Sequence, residues 1–384
     1  MAPTIRVIGS LNADMVSVTP RFPDDGETIT SSAYFISAGG KGANQAVACG
    51  RLSRPRPEPS ASHKSDASDV RVEMVGAVGG RDGHFAALLK PTLEKSGVDT
   101  SRVRVVEDAY TGVAVIIVDS SAGGENRILF SPGANYTGMQ VEGDSHGEEE
   151  VIGSALESPM PDVIVMQGEI PTETTVGILR SVAKWKEQRR AEGKMGLEVG
   201  PEVIFNPAPA PPGGLPGDVY QGVEHLIMNE TEAELMTPPA EELVKVPGIE
   251  ASQDGKEQVA RYFHSLGVRY VLVTLGSKGV WYSAADGSGL GTRVTNQVPA
   301  AKVSRVLDTT AAGDTFVGAY AVKVARWREQ RRAEGKAGIE LTEEEKGVRY
   351  KTVMDEAMDV ATRAAARGVE RQGAMDSIPW EDEI

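Results

Sequence analysis

Six short apolar runs rich in Val and Ile recur along the 384 residues and do most to limit the folds open to the chain. They are "IRVIGS" at 5–10, "VEMVGAVG" at 72–79, "DVIVMQGE" at 162–169, "EVIFNPAP" at 202–209, "HLIMNETE" at 225–232 and "YVLVTLGSKG" at 270–279. Between several of them lie stretches that read as helices: "GANQAVACGRL", "HFAALLKPTLEKSG" and "GKEQVARYFHSLG". Strands alternating with helices at this spacing predict a mostly parallel sheet covered on both faces. Ligands of such sheets sit at the carboxyl ends of the strands. Here those ends read "SLNAD", "QGE", "NPAP", "NETE" and "TLGSKG", so the polar chemistry collects where a ligand is expected.

Two regions break the pattern. Residues 15–37 and 109–131 favour short alternating strands with turn signals, including "AGGEN", and predict a small antiparallel sheet attached to the main one. Such a sheet suits a lid that excludes water, or pairing with a second subunit. The Pro/Ser-rich segment 53–69, the acidic run 142–150 and the turn-rich "PPGGLPGD" read as solvated loops. One near-repeat stands out: "WKEQRRAEGKMGLE" at 185–198 returns as "WREQRRAEGKAGIE" at 327–340. Two copies so short and so far apart are not a solenoid repeat; both read as charged extensions of surface helices, with a docking or dimerisation role as the alternative.

Net charge is −15, which argues against a nucleic-acid or anionic-membrane partner, since both reward clustered Lys and Arg. Cys49 is the single cysteine, so no disulfide forms within the chain and a cytoplasmic setting is expected, with nuclear access also open. Neither a signal-peptide core nor a membrane-length apolar run is apparent. The five histidines are scattered without ligand spacing.

Four motifs carry chemistry. In "SAGGKGANQAVA" (37–48), Gly39, Gly40 and Gly42 permit close backbone approach, and Lys41 and Asn44 offer a charged donor and an amide. A tight loop with a solvated lysine is the plain alternative, and the spacing is not that of a Walker A loop. Upstream, Asn12 and Asp14 follow the first strand, a donor and acceptor pair suited to a polyol. Asn229 and Glu232 in "NETE" fit a helix capping box, or a place beside a magnesium–phosphate cluster. In "TLGSKG", the Thr274 and Ser277 hydroxyls and nearby amides suit a nucleotide, or an ordinary strand–turn–strand.

The fourth motif is "DTTAAGDTF" (308–316). The N-terminus of a helix has unpaired N–H groups and a positive dipole end, and small residues at 310–313 let an anion rest directly on the backbone. Asp314 at the mouth of that helix repels a resting phosphate unless it has a task. A catalytic base accepting a hydroxyl proton supplies that task, with Ala311, Ala312 and Gly313 as an anion hole. An aspartate favoured by the helix dipole, with Ala and Gly allowing tight packing, is the plain alternative.

Taken in order, "VIGSLNADMV", "FPDDGETI", "AGGKGANQAVA", "MQGEIP", "NETEAE", "VTLGSKGV", "DTTAAGDTFVGA" and "RQGAMDSIPW" resemble the ribokinase family of PfkB-type sugar kinases over nearly the whole chain. The resemblance implies one three-layer, doubly wound α/β domain spanning 1–384, with a small antiparallel β-sheet lid that also builds a homodimer interface. It implies ATP-dependent phosphorylation of D-ribose at the 5-hydroxyl, with Mg²⁺ and K⁺. "SLNAD" favours ribose over the acceptors of fructokinase- and adenosine-kinase-like members. A kinase for 2-deoxyribose or fructose, and a sugar or nucleotide sensor without turnover, are the rival expectations.

The family roles fall on particular residues of this chain. Asn12, Asp14, Gly40, Lys41, Gly42, Asn44 and Glu169 match sugar-binding positions, and Asp314 matches the base. Asn229, Thr274, Gly276, Ser277, Gly279 and Gly313 match nucleotide positions. Thr362 stands on the adenine side, where members often carry Asn or His. Glu232 matches a position that reaches magnesium through water. Asp308, Thr310, Gly368, Arg371, Gly373 and Ser377 match the potassium site, many through backbone carbonyls. Segments 53–69, 142–150, 185–202 and 328–347 are expected to be insertions, and the Arg-rich segments and the loop after Arg51 have no counterpart in compact members.

Overall fold

The first apolar run forms β1 (Thr4–Ile8), buried at every position, an interior strand of a nine-stranded sheet. A computed structural model describes residues 2–58, 69–121, 125–141, 151–246, 248–249, 254–286 and 292–384. On one side of β1 lie β4 (Arg71–Gly79) and β5 (Val98–Val106). On the other lie β8 (Val163–Met166), β9 (Glu202–Phe205), β10 (His225–Asn229) and β11 (Tyr270–Thr274). All of these neighbours pair in parallel. Antiparallel β12 (Val280–Ala285) and β13 (Arg293–Val298) complete that edge. Because the chain leaves β1 toward β4 and later returns to β8 on the opposite side, strand order reverses at β1, the topological position where ligands enter such sheets.

Burial on both faces explains why these strands read as continuous apolar runs. Successive residues alternate between two cores. Ile5, Val7, Val163, Val165, Ile204 and Ile227 pack on one face, toward α1 (Lys41–Arg51), α6 (Ala312–Ala333) and α7 (Met354–Val369). Ile8, Ile164, Met166, Val203, Phe205 and Leu226 pack on the other, where α3 (Thr172–Ala191) and α5 (Gly255–Ser265) lie. Two further helices, α2 (Lys90–Lys95) and α4 (Glu230–Met236), are short. Cys49 is fully buried on α1, as a small apolar side chain would be. Among the described residues no helix is long and apolar enough to cross a membrane.

The smaller sheet contains β2 (Asn12–Thr19), β3 (Ala33–Gly39), β6 (Gly112–Asp119) and β7 (Glu125–Ser131), in the order β3-β2-β6-β7. Its outer pairings are antiparallel, as expected, but the central β2–β6 pairing is parallel. The reason lies in the main sheet. β2 leaves the carboxyl end of β1 and β6 that of β5, and these two strands run the same way. Tyr34, Phe35, Ile128, Leu129 and Phe130 of this sheet are exposed. The acidic run 142–150, most of 53–69 and the centre of "AGGEN" lie outside the described residues.

The near-repeats are the ends of α3 and α6, and they fold alike. Each helix stops at a left-handed glycine, Gly193 (φ 82°) and Gly335 (φ 72°). After each, a lysine amide reaches back five residues: Lys194 to the Arg189 carbonyl and Lys336 to the Arg331 carbonyl, both at 2.9 Å. They are helix extensions, as expected, largely exposed but with a few cations buried along one side. The Leu197 amide donates to the Ala337 carbonyl (2.7 Å) and the Gly196 amide to Glu340 Oε1 (3.0 Å), so the copies dock on each other. Lys186, Arg328 and Arg331 are buried there.

Candidate active site

After β3 the chain turns through Gly40 (φ 90°) into α1. At Gly42 the helix passes so close to the end of β1 that a Cβ would lie 2.5 Å from the Ser10 amide nitrogen and 2.7 Å from the Gly9 carbonyl carbon. The glycines of "GGKG" therefore bring the helix start onto the strand end, the close-approach reading of the motif. Glu169, just past β8, joins the two: its Oε2 accepts from the Ser10 hydroxyl (2.6 Å) and the Lys41 amide (3.0 Å). The Gly42 amide donates to Ser10 Oγ at 3.2 Å. Asn12 is oriented by Asn135, whose amide donates to Asn12 Oδ1 at 2.7 Å.

Asp314 lies in the first turn of α6, buried, with its carboxylate turned toward α1. Its Oδ2 accepts from Asn44 Nδ2 and its Oδ1 from Gln45 Nε2, both at 2.9 Å. Gln45 Nε2 also donates to Asn206 Oδ1 (3.0 Å), and Gln45 Oε1 accepts from Gln167 (2.7 Å). Asn206 in turn donates to the Ile227 carbonyl at 2.9 Å. Three strand ends and two helix starts thus share one amide network around a single carboxylate. Buried Asn44 Oδ1 and Gln167 Oε1 are left as acceptors without a donor.

Charge is concentrated here. Burial, then the neighbouring Glu169 and Asp314 carboxylates, raise the Asp14 pKa to about 7 against the pull of Lys41. Asp314 chiefly, with Glu169 and Glu232, holds the Lys41 ammonium above its ordinary value despite burial. Burial likewise raises Glu232, opposed by the Asn229 amide and Lys41. A carboxyl whose pKa rises on folding stabilises the fold at low pH and loses that contribution as pH climbs to the folded value. Asp14→Asn is therefore expected to gain stability over the parent as pH rises from about 4, the ordinary aspartate value, to about 7. Above that the difference is level, and urea midpoints across that range measure it.

Before α6 the backbone is strained. Ala311 (φ 59°) is the only non-glycine residue at positive φ among the described residues. The Ala312 amide donates to the Thr309 carbonyl (3.2 Å), and among the described residues the amides of Gly313 and Asp314 have no partner. A Cβ added at Gly313 would meet nothing within 4 Å. Small side chains and open amides thus coincide in space. Asp308 braces the turn, accepting from the Thr310 amide (2.8 Å) and the Gly373 amide (3.0 Å). Burial works to raise its pKa, and these N–H donors outweigh it, so the carboxylate stays below its ordinary range. Gly368 lies beside the turn on α7, and its carbonyl accepts the Arg371 amide at 3.0 Å. The Arg371 guanidinium is drawn away to Glu383 (3.0 Å), and the Ser377 hydroxyl donates to the Ala374 carbonyl (2.8 Å).

On the remaining side, Asn229 and Glu232 form a reciprocal capping box at the start of α4, with bonds of 2.7 and 2.8 Å. The capping alternative is therefore realised, and Glu232 Oε1 is not used by it. The "TLGSKG" turn closes through Leu275 N to the Gly279 carbonyl (2.7 Å), with Gly276 and Gly279 at positive φ and Ser277 exposed. Thr274 leans on the Met228 carbonyl at 3.4 Å. Thr362 is buried and donates to the Asp359 carbonyl one turn earlier (3.0 Å), so its hydroxyl proton is already engaged.

Residue patterns singled out Asn12, Asp14, Lys41, Asn44, Glu169 and Asp314 but passed over Ser10, Gln45, Asn135, Gln167 and Asn206. Gln167 and Asn206 stand in the quoted strand ends "QGE" and "NPAP", and Gln45 adjoins Asn44, so position alone marked them.

The chain matches the model of the pfkB family carbohydrate kinases over residues 2–381. It is 33% identical to a ribokinase of Schizosaccharomyces pombe over 378 residues, covering 98% of this chain and 94% of the yeast protein. A ribokinase structure from Giardia lamblia superposes with a TM-score of 0.72 at 26% identity, covering 100% of this chain and 97% of the other. The Arabidopsis thaliana ribokinase complexed with ribose and ATP gives 0.67 at 28% identity, over 100% and 97%. With the fold, the residues gathered at the switch point and these matches in agreement, the chain belongs to the pfkB family of carbohydrate kinases.

Proposed function

We propose that this sugar kinase transfers the γ-phosphoryl group of ATP to the 5-hydroxyl of D-ribose. The observation that carries the reading is the buried Asp314 carboxylate, held by the Asn44 and Gln45 amides beside the open amides of Gly313 and Asp314. A sugar hydroxyl lying against Asp314 gives up its proton to that carboxylate as its oxygen attacks phosphorus. The amides at the start of α6 and the Lys41 ammonium balance the charge that builds on the transferring group. Asn12, Asp14 and Glu169 grip the other hydroxyls, and the orphan acceptor Asn44 Oδ1 is free to receive one.

The donor sets suit both cations. Glu232 keeps one carboxylate oxygen free beside Lys41 and Asp314, which fits a water-mediated contact to magnesium. Magnesium supplies neutralisation of the triphosphate. The Asp308 carboxylate, kept ionised, with backbone carbonyls at 368–373, fits a potassium ion that stiffens the strained 308–311 turn. The exposed apolar residues of the small sheet fit a homodimer through the lid. Leu129→Asp is expected to shift the sedimentation coefficient from dimer to monomer.

Coupled ADP release with D-ribose, 2-deoxyribose, fructose and adenosine, each in potassium and in sodium, tests the substrate assignment. Turnover highest on D-ribose and raised by potassium is expected. Turnover confined to another sugar would move the substrate, and binding of ribose without turnover would make the protein a sensor.

A further inference from the structure

The docked near-repeats enclose a cavity of about 190 Å³ at the amino ends of β9, β10 and β11, the sheet edge opposite the kinase cleft. Helix α6 spans the two, with Asp314 in its first turn and Arg328 and Arg331 near its end. Six cationic side chains line this cavity against four carboxylates, on a chain whose net charge is −15. Four of the six cations are satisfied. Lys186 pairs with Glu224 (2.5 Å), Arg328 with Glu202 (3.1 Å), Arg331 with Glu345 (3.2 Å) and Lys346 with Asp286 (3.0 Å). The fourth lining carboxylate, Glu340, accepts the Gly196 amide.

Arg190 and Arg269 remain. Both line the cavity, and among the described residues neither guanidinium has a hydrogen bond or an ion pair. A third open donor is the buried Nε of Arg328, whose nearest carboxylate oxygen, on Asp162, is 3.7 Å away. Arg328 is 4% exposed, so water does not substitute freely for that missing bond. Trp327, Tyr350, Leu197 and Ile339 give the same space an apolar and aromatic wall. An ion-pair network built only to hold two segments together needs no surplus guanidinium.

We propose that this cavity is a second ligand site, separate from the kinase cleft, that takes a small phosphate-bearing anion between Arg190 and Arg269. Guanidinium forks match phosphate oxygens in pairs, and two guanidinium groups outside any ion pair suit a phosphate anion. The apolar wall leaves room for a small organic body on that phosphate.

Calorimetric titration of the full chain with inorganic phosphate, at ionic strength fixed with chloride, tests this against the Arg190→Gln/Arg269→Gln double variant. Arg190 and Arg269 make no hydrogen bond among the described residues, but Arg269 lies in the field of Glu224 and Glu202, so the variant is expected to lower the urea midpoint while keeping turnover in phosphate-free buffer. The parent is expected to show a class of phosphate binding whose affinity falls at least tenfold in the variant. Phosphate bound at the start of α6 is a second class that the substitutions leave alone. A parallel titration with a pentose 5-phosphate separates the sources: tighter capture, lost in the variant, assigns a carried phosphate, and equal capture assigns the free anion. Isotherms that coincide in parent and variant for both probes would overturn the proposal.

Discussion

Asp314→Asn is expected to lower kcat by about 10²–10⁴-fold, the usual range for a lost general base, while D-ribose affinity stays within a few-fold. The carboxylate sits in the first turn of α6, beside the helix-start amides, and is fixed by two donors, Asn44 and Gln45. An asparagine fills the same volume but has one acceptor, so it keeps one of those bonds and sets its own NH₂ against the other donor. That conflict costs about 1–3 kcal/mol of stability, which a urea melt reads separately from turnover. The sugar contacts proposed for Asn12, Asp14 and Glu169 are untouched. Coupled ADP release with calorimetry on the same sample checks both halves, and near-parental kcat would remove Asp314 from the chemistry.

The second large effect is expected at Gly42. A Cβ there would meet the backbone of residues 9 and 10 at 2.5 to 2.8 Å, and backbone at a strand end cannot rotate away as a side chain does. The start of α1 has to withdraw, carrying Lys41 and Asn44 off Glu169 and Asp314. Displacements of that order cost about 10²-fold in rate, so kcat/KM of Gly42→Ala is expected to fall about a hundredfold. Gly313→Ala is the informative contrast. A Cβ there meets no protein atom, so the fold gains from the helix-favouring residue and any lost activity reports on the bound phosphoryl group. Loss at Gly42 with no change in the α1 position, seen crystallographically, would contradict the packing argument.

Much of the layout was legible because the physics behind it is local. Strands buried on both faces need continuous apolar runs, and all six quoted runs contain a strand of the main sheet. The helix behind "AAGD" and the turn before it follow from small residues and an N-terminal aspartate. What was not legible depends on partners distant in sequence. Gln45, Gln167 and Asn206 are common polar residues until α1, β8 and β9 converge on Asp314, with bonds between residues 122 to 269 apart along the chain. The parallel β2–β6 pairing is set by the directions of β1 and β5, which alternation within each lid strand does not encode. The near-repeats read as charged extensions of surface helices because their charge is high. Only tertiary structure shows Lys186 and Arg328, equivalent positions in the two copies, buried at one cavity.

The central claim is that Asp314 and the start of α6 act on the 5-hydroxyl of D-ribose. Incubating the protein with ATP, Mg²⁺, K⁺ and ¹³C-labelled D-ribose, and assigning the product by ¹³C and ³¹P NMR, tests it most directly. The account predicts a single ester, with phosphorus coupled to C5 and one ADP formed for each ester. Phosphate on another hydroxyl, or ADP released without a sugar ester, would contradict it.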